Sequence, residues 1–139
     1  MAIDDLKANG MMSHLLTSLE AGEDIGHYGR LVFAMVARHF VEDATLVDLL
    51  LQDPACDEAQ AHALVEQVKG RDYSPPRREK VLEFQSRQDF PLCPNKDDPD
   101  ACNVYKDLRF PEHVYAHIGE YREQKAHAAS EEADSAGAP

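Results

Sequence analysis

The most chemically distinctive stretch of this chain is basic. Residues 69–80 read Lys-Gly-Arg-Asp-Tyr-Ser-Pro-Pro-Arg-Arg-Glu-Lys, with five basic and two acidic side chains, in a chain whose formal charge is −12. Arginine can bind phosphate through two parallel N–H groups, and tyrosine can stack on bases. This island of positive charge, with an aromatic ring and a stiff Pro-Pro pair, predicts contact with phosphate or nucleic acid. The alternative is a solvated helix start with ordinary surface cations.

A second candidate contact lies at the start of a strongly apolar segment. His27 and Arg30 are three positions apart, so a helix places them on one side. The N-terminus of a helix attracts anions through its dipole and its free N–H groups. The spacing therefore predicts an anion contact. The alternative is that His27 caps the helix and Arg30 pairs with Glu23 or Asp24.

The cysteines and histidines near the C-terminal end form one further pattern. Cys93, Cys102, His113 and His117 make C-x8-C-x10-H-x3-H. The two histidines have metal-ligand spacing, but the cysteines are too widely separated for the usual zinc knuckle. The pattern therefore favours surface histidines and no zinc. A Cys93–Cys102 disulfide is disfavoured by the reducing environment expected here.

No catalytic set accompanies these residues. The sequence shows no Gly-rich phosphate loop and no Cys-x-x-Cys, and its acidic run at residues 97–100 lacks the downstream Glu of a calcium loop. Two-metal nucleotidyl transfer would need clustered carboxylates, which are not recognisable here. These absences favour a binding module over an enzyme.

Composition limits the remaining possibilities. At 139 residues and 43% hydrophobic the chain predicts a single globular domain, and it has no apolar run long enough to cross a membrane. We expect a cytoplasmic protein. Twenty-six acidic residues stand against fourteen basic ones, which indicates either adaptation to a salty host or simple solubility.

Apolar spacing predicts an all-α fold, a compact bundle of five to six helices with an irregular cysteine-containing loop. We expect a helical domain over residues 1–124 and a disordered acidic tail over residues 125–139, which lacks large apolar side chains. Ala21-Gly22, Asp57 and Ser74 are the expected helix boundaries. The predicted helices are 4–20, 28–40, 44–51, 57–70, 74–88 and 112–123, with a loop over 89–111.

The order of these landmarks resembles the C-terminal domain of the archaeal and eukaryotic DNA primase large subunit. The first landmark is Leu-Leu-x-x-Leu-x-Ala-Gly-Glu-Asp-Ile-x-His-x-Gly-Arg over residues 15–30. A buried helix, an acidic helix pair and a Tyr-x-Pro-Pro turn at residues 73–76 follow in the family's order. A Leu-Cys pair at 92–93, an Asn- and Asp-rich loop and Cys102 complete the resemblance, which covers residues 11–115.

The chain departs from that family at its metal centre. The family domain carries a four-iron, four-sulfur cluster on four cysteines, and only Cys93 and Cys102 have counterparts here. Met11 and the pair Arg77-Arg78 stand where the other two are expected. Two thiolates do not retain such a cluster in water. We therefore predict no cluster and no other cofactor, with apolar packing around Met11 in its place.

The resemblance implies a non-catalytic DNA primase module. It would hold the initiating nucleotide or a primer-template, with single-stranded DNA, while a separate primase catalytic subunit performs synthesis. The alternative is a small acidic helical protein–protein interaction module that has lost nucleic-acid binding. The predicted nucleic-acid and nucleotide contacts are His27, Arg30, Arg71, Tyr73, Arg77, Arg78 and Lys80.

Overall fold

The computed structural model describes residues 3–98 and 100–116, and every regular element in them is a helix. The prediction of an all-α fold is confirmed. Seven helices lie in the part of the chain up to Arg109, and five of them have eight or more residues. They are α1 (Ile3–Leu6), α2 (Gly10–Glu20), α3 (Gly26–Ala37), α4 (Asp43–Leu50), α5 (Glu58–Gly70), α6 (Arg78–Gln85) and α7 (Val104–Asp107).

The described residues 110–116 belong to a second unit, separate from the helices up to Arg109. Within its described part, residues 112–116 are helical. The Tyr115 hydroxyl accepts a hydrogen bond of 3.0 Å from the Phe110 backbone N–H, and the two rings meet edge to face. The remainder of the predicted last helix and the predicted tail at 125–139 lie outside the described residues.

Helix α3 is the central element of the first unit. It packs against α2, α4, α5 and α6, and a helix that is apolar nearly all round is expected to be buried. Its side chains Val32, Phe33, Ala34, Val36 and Ala37 are fully buried. The prediction of a central helix over residues 28–40 is confirmed, with its start two residues earlier and its end three residues earlier.

The predicted single helix over residues 4–20 was wrong, because the chain turns between α1 and α2. Asn9 caps α2 by accepting a hydrogen bond of 3.1 Å from the Met12 N–H. Its side-chain amide donates to the Asn103 carbonyl and the Asp107 carboxylate, at 3.3 and 3.0 Å. Asn9 is fully buried, so these long-range bonds hold the break in place.

Several helix ends follow local sequence rules. Asp57 and Gln60 form the reciprocal capping box of α5, with bonds of 2.8 and 3.0 Å. Gly22 ends α2 with a φ of +75°, and its N–H bonds to the Leu19 carbonyl. The expected caps at Asp57 and Ala21-Gly22 are confirmed.

Two boundaries differ from expectation. Helix α6 begins at Arg78 rather than after Ser74, since a residue before proline avoids helical backbone and both Ser74 and Pro75 precede one. The predicted loop over residues 89–111 also contains α7, which Asn103 caps by accepting from the Tyr105 N–H at 3.1 Å. No helix in the described part of the chain is long and apolar enough to span a membrane.

Candidate nucleic-acid interface

The predicted contact residues lie in three separate places. His27 and Arg30 are at the start of α3, and Arg71 and Tyr73 follow the end of α5, where Arg38 also lies. The rise along α3 from His27 to Arg38 is about 16 Å, so these two places are well apart. The third place is the start of α6, with Arg77, Arg78 and Lys80.

Arg30 is engaged inside the protein. Its Nη1 donates to Asp53 Oδ2 at 2.8 Å and to Asp24 Oδ1 at 3.3 Å. The Arg30 side chain is 14% exposed and the Asp53 side chain is fully buried. Asp53 also accepts from the backbone N–H groups of Ile25 and Ala55, at 2.9 and 2.8 Å. Arg30 therefore neutralises a buried carboxylate, and its expected alternative partner Asp24 is only the weaker of two.

The start of α3 offers few N–H groups to an outside anion. Asp24 Oδ1 accepts from the Gly26 N–H at 2.8 Å, and Gln88 Oε1 accepts from the Tyr28 N–H at 2.8 Å. Together with the Asp53 bond to Ile25, these side chains accept from three of the four N–H groups that a helix start leaves open, those of residues 25, 26 and 28.

Gln88 closes this end of α3 through a tight contact with Gly26. The Gln88 amide donates to the Ile25 and Phe90 carbonyls at 2.9 and 3.1 Å. Gly26 has a φ of +84°, and a Cβ there would lie 2.4 Å from Gln88 Oε1. Glycine is thus required both by the backbone conformation and by the approach of the glutamine.

The end of α5 is tied to the end of α3. Arg38 Nη2 donates to Asp72 Oδ1 at 2.7 Å and to the Tyr73 carbonyl at 3.0 Å. The bond from Gln67 to the Tyr73 hydroxyl, and then the charge of Arg71, lower the pKa of that phenol. Arg71 itself is exposed.

Arg78 faces the cysteine loop. Its Nη2 donates to the Lys96 carbonyl at 2.5 Å, and its charge acts on Cys102. A Cβ at Gly10 would lie 3.5 Å from the Ala101 oxygen and 3.8 Å from Pro94 Cγ. The starts of α2 and α6 therefore meet both ends of the loop that joins the two cysteines.

Cys93 and Cys102 are both buried and reduced, and their side chains interact. Burial, followed by the hydrogen bond with Cys93, raises the pKa of the Cys102 thiol to about 12. Among residues 3–98 and 100–116, no group of three or more His, Cys, Asp or Glu side chains is placed to hold a metal ion. The fourth member of the C-x8-C-x10-H-x3-H pattern, His117, lies outside the described residues.

One face of α6 brings the partly exposed Arg77 and Lys80 and the exposed Arg87 to the side of the helix that carries Phe84, whose ring is buried at 9% exposure. Positions 77, 80, 84 and 87 are three, four and three residues apart, which keeps them on one side of a helix. Arg87 remains on that side because its N–H continues the helical turn to the Phe84 carbonyl at 3.0 Å. We call this set, Arg77, Lys80, Phe84 and Arg87, the α6 stripe.

The aromatic part of the stripe continues onto α3. Phe84 stacks on Tyr28 with ring centroids 5.1 Å apart and an angle of 16°, and Tyr28 meets exposed His27 edge to face. Lys80 Nζ lies 5.4 Å from the centre of the Phe84 ring, within cation–π distance. Arg87 donates to the Tyr28 hydroxyl. The start of α3 is thus joined to the α6 stripe through Tyr28, whereas Arg30 points elsewhere.

The contact of Tyr28 with Phe84 and Arg87 was missed by sequence reasoning. Phe84 was expected to face inward from its helix, and it is buried at 9% exposure, whereas Tyr28 and Arg87 were not singled out. The spacing of 77, 80, 84 and 87 was a usable signal, since it gives a helix face that is cationic and aromatic rather than apolar. The stacking partner on α3 gives no such signal, because it depends on how the two helices pack.

Comparison of the chain with protein-family models, with curated proteins and with solved structures finds no match in any of the three.

Proposed function

We propose that this protein is a non-catalytic, primase-type accessory module that binds nucleic acid through the α6 stripe together with His27 and Tyr28. The observation that carries the proposal is the α6 stripe itself, in which Lys80 and Arg87 adjoin the stacked pair formed by Tyr28 and the buried Phe84. Cations track the phosphate backbone and aromatic rings stack on bases, and single-strand binding sites combine the two. His27, Arg77 and Lys80 are the sequence-predicted residues that belong to this surface.

The placement of the cysteine loop also supports the family resemblance. The positions that correspond to cluster ligands are Cys93, Cys102, Met11 and the Arg77-Arg78 pair. The start of α2, the start of α6 and both cysteines meet in one region, as a shared ancestral ligand site would require. Met11, the residue after Gly10, is fully buried, consistent with apolar packing in place of a cluster. The proposed module has no cluster and acts with a separate primase catalytic subunit.

Binding of a labelled primer-template at increasing salt tests the nucleic-acid contact. Three phosphate-binding cations predict that log K falls with log salt with a slope of about −2 to −3. Lys80→Gln should flatten that slope. Lys7→Gln is the charge-matched control, because Lys7 is a half-exposed lysine directly after α1 and outside the stripe. Equal effects of the two substitutions would contradict the assignment.

Stimulation of primer synthesis tests the primase assignment separately. The protein should increase primer yield when added to the catalytic subunit encoded by the same host, and it should co-purify with that subunit. Binding of primer-template without either effect would leave a nucleic-acid-binding protein of another kind.

The alternative is an acidic helical protein–protein interaction module, which the formal charge of −12 favours. High net negative charge opposes nonspecific binding to polyanions. This alternative predicts no binding to the primer-template even at low salt, together with retention of a host protein other than primase.

A further inference from the structure

Glu83 lies between two cations of the α6 stripe. Its Oε1 is 3.3 Å from Lys80 Nζ, and its Oε2 is 2.9 Å from Arg87 Nη2. The three side chains are 43 to 55% exposed. Ion pairs in such exposed positions are weak and screened by salt, so another anion can replace the carboxylate.

The shape of this arrangement matches a phosphate. A carboxylate and a phosphodiester each present two oxygens to neighbouring donors. Because one carboxylate contacts both Lys80 and Arg87, the charged ends of these side chains lie within reach of one anion. The same two side chains adjoin the aromatic pair, with Lys80 over Phe84 and Arg87 bonded to the Tyr28 hydroxyl.

We propose that the Glu83 carboxylate holds the place of a phosphate group. A phosphate of a single-stranded nucleic acid displaces it and binds Lys80 and Arg87, while the attached unpaired base contacts the surface of His27 and Tyr28. This assignment rests on the proposed nucleic-acid contact and names its ligand as a single strand. A base inside a duplex is stacked on its neighbours and does not offer its flat side to a protein ring.

Glu83 then acts as an internal competitor, so its removal should strengthen binding. Glu83→Gln keeps the size of the side chain and removes the charge that occupies the site. Glu79→Gln is the matched control: it removes one negative charge from an exposed position of the same helix, outside the stripe. Any general effect of net charge is shared by both variants, and only Glu83→Gln empties the phosphate position.

Fluorescence anisotropy at low salt measures the affinity of each variant for a labelled single-stranded oligonucleotide and for the corresponding blunt duplex. Glu83→Gln should bind the single strand about five-fold or more tightly than wild type, and Glu79→Gln within about two-fold. The gain should be smaller for the duplex. Thermal unfolding followed by circular dichroism should be nearly unchanged, since Glu83 is exposed. Equal affinities of the two variants, including no binding by either, would overturn the phosphate position.

Two further experiments distinguish a nucleic-acid strand from free phosphate as the ligand, and distinguish the phosphate position from the proposed primase role. Inorganic phosphate should compete only weakly with the oligonucleotide; competition as strong as that of an unlabelled strand would make free phosphate the ligand and overturn the single-strand assignment. A tighter single-strand complex with Glu83→Gln, without any stimulation of primer synthesis, supports the phosphate position and rejects only the primase role.

Discussion

Arg30 at the start of α3 differs from Lys80 and Arg87 of the α6 stripe in how deeply its charge is buried. It also differs in how strongly that charge is paired inside the protein. Arg30 is 14% exposed and its main partner, Asp53, is fully buried. Lys80 and Arg87 are about half exposed and share the half-exposed Glu83. A buried carboxylate left unpaired is costly, whereas an exposed pair contributes little. Arg30 is therefore held for stability, and the stripe cations remain available to a ligand.

The comparison is tested most strongly by Arg30→Ala. Asp53 would keep its two backbone hydrogen bonds but lose its counter-charge, so we expect a loss of about 3 kcal/mol in the free energy of unfolding. Urea denaturation measures it. Arg71→Ala, at an exposed position, should cost less than about 0.5 kcal/mol. If Arg30→Ala unfolds like wild type but binds oligonucleotide poorly, Arg30 belongs with the stripe.

Gly26→Ala tests how much the contact between Gln88 and Gly26 at the start of α3 contributes to the free energy of unfolding. We expect a loss of about 2 kcal/mol, because alanine at this positive φ is strained and its Cβ would displace the Gln88 amide. Gly22→Ala is the matched control, with a φ of +75° and no atom within 4 Å of the added Cβ. It should lose only about 1 kcal/mol, from the backbone alone. Equal losses would show that Gln88 does not close this helix end.

The dependence of stability on alkaline pH tests the burial of Cys102, which lies near Arg78. The Cys102 pKa is raised from 9.0 to about 12 in the folded protein. The unfolded chain loses this proton first, so stability falls by up to about 1.4 kcal/mol for each pH unit between those values. Below pH 9.0 the Cys102 thiol is protonated in both the folded and the unfolded state, so it does not make stability depend on pH.

Urea midpoints measured below and above pH 9.0 follow this effect. Cys102→Ala should have the shallower decline, because it removes the titrating group. A decline as steep as that of wild type would assign the alkaline sensitivity to other residues.

The smallest expected effects on stability come from substitutions of the half-exposed Lys80 and Arg87. Lys80→Gln and Arg87→Gln should each reduce the magnitude of the salt slope for a single strand by about 0.7 and weaken binding a few-fold at low salt. Their unfolding free energies should stay within about 0.5 kcal/mol of wild type. If either variant lost more than about 2 kcal/mol of unfolding free energy, Lys80 and Arg87 would be structural residues like Arg30. The proposed difference between Arg30 and the stripe cations would then be contradicted.

The anion contact predicted at His27 and Arg30 shows what charge and spacing leave undetermined. Both residues do lie at a helix start, as their spacing indicates. The carboxylate that engages Arg30 belongs to Asp53, twenty-three residues further along the chain and after another helix. No local pattern identifies that partner, because it is brought to α3 only when α4 packs.

The two proline positions before α6 show the opposite case. The expected cap at Ser74 was wrong, although the restriction that proline places on the preceding residue was readable in the sequence. The alignment of positions 77, 80, 84 and 87 did not depend on that boundary, because their spacing places them on one side of the predicted helix over residues 74–88 as well. The stripe was thus accessible in part to sequence reasoning, but the Tyr28 ring behind it was not.

The sequence by itself determined the all-α class, the central buried helix and the caps at Gly22 and Asp57. These depend on apolar spacing and on side chains bonding to backbone a few residues away, which are local interactions. Only the tertiary structure decided the break at Asn9 and which cations are neutralised. Those outcomes depend on partners such as Asn103 and Asp53, distant in sequence, and on whether burial removes water from the pair.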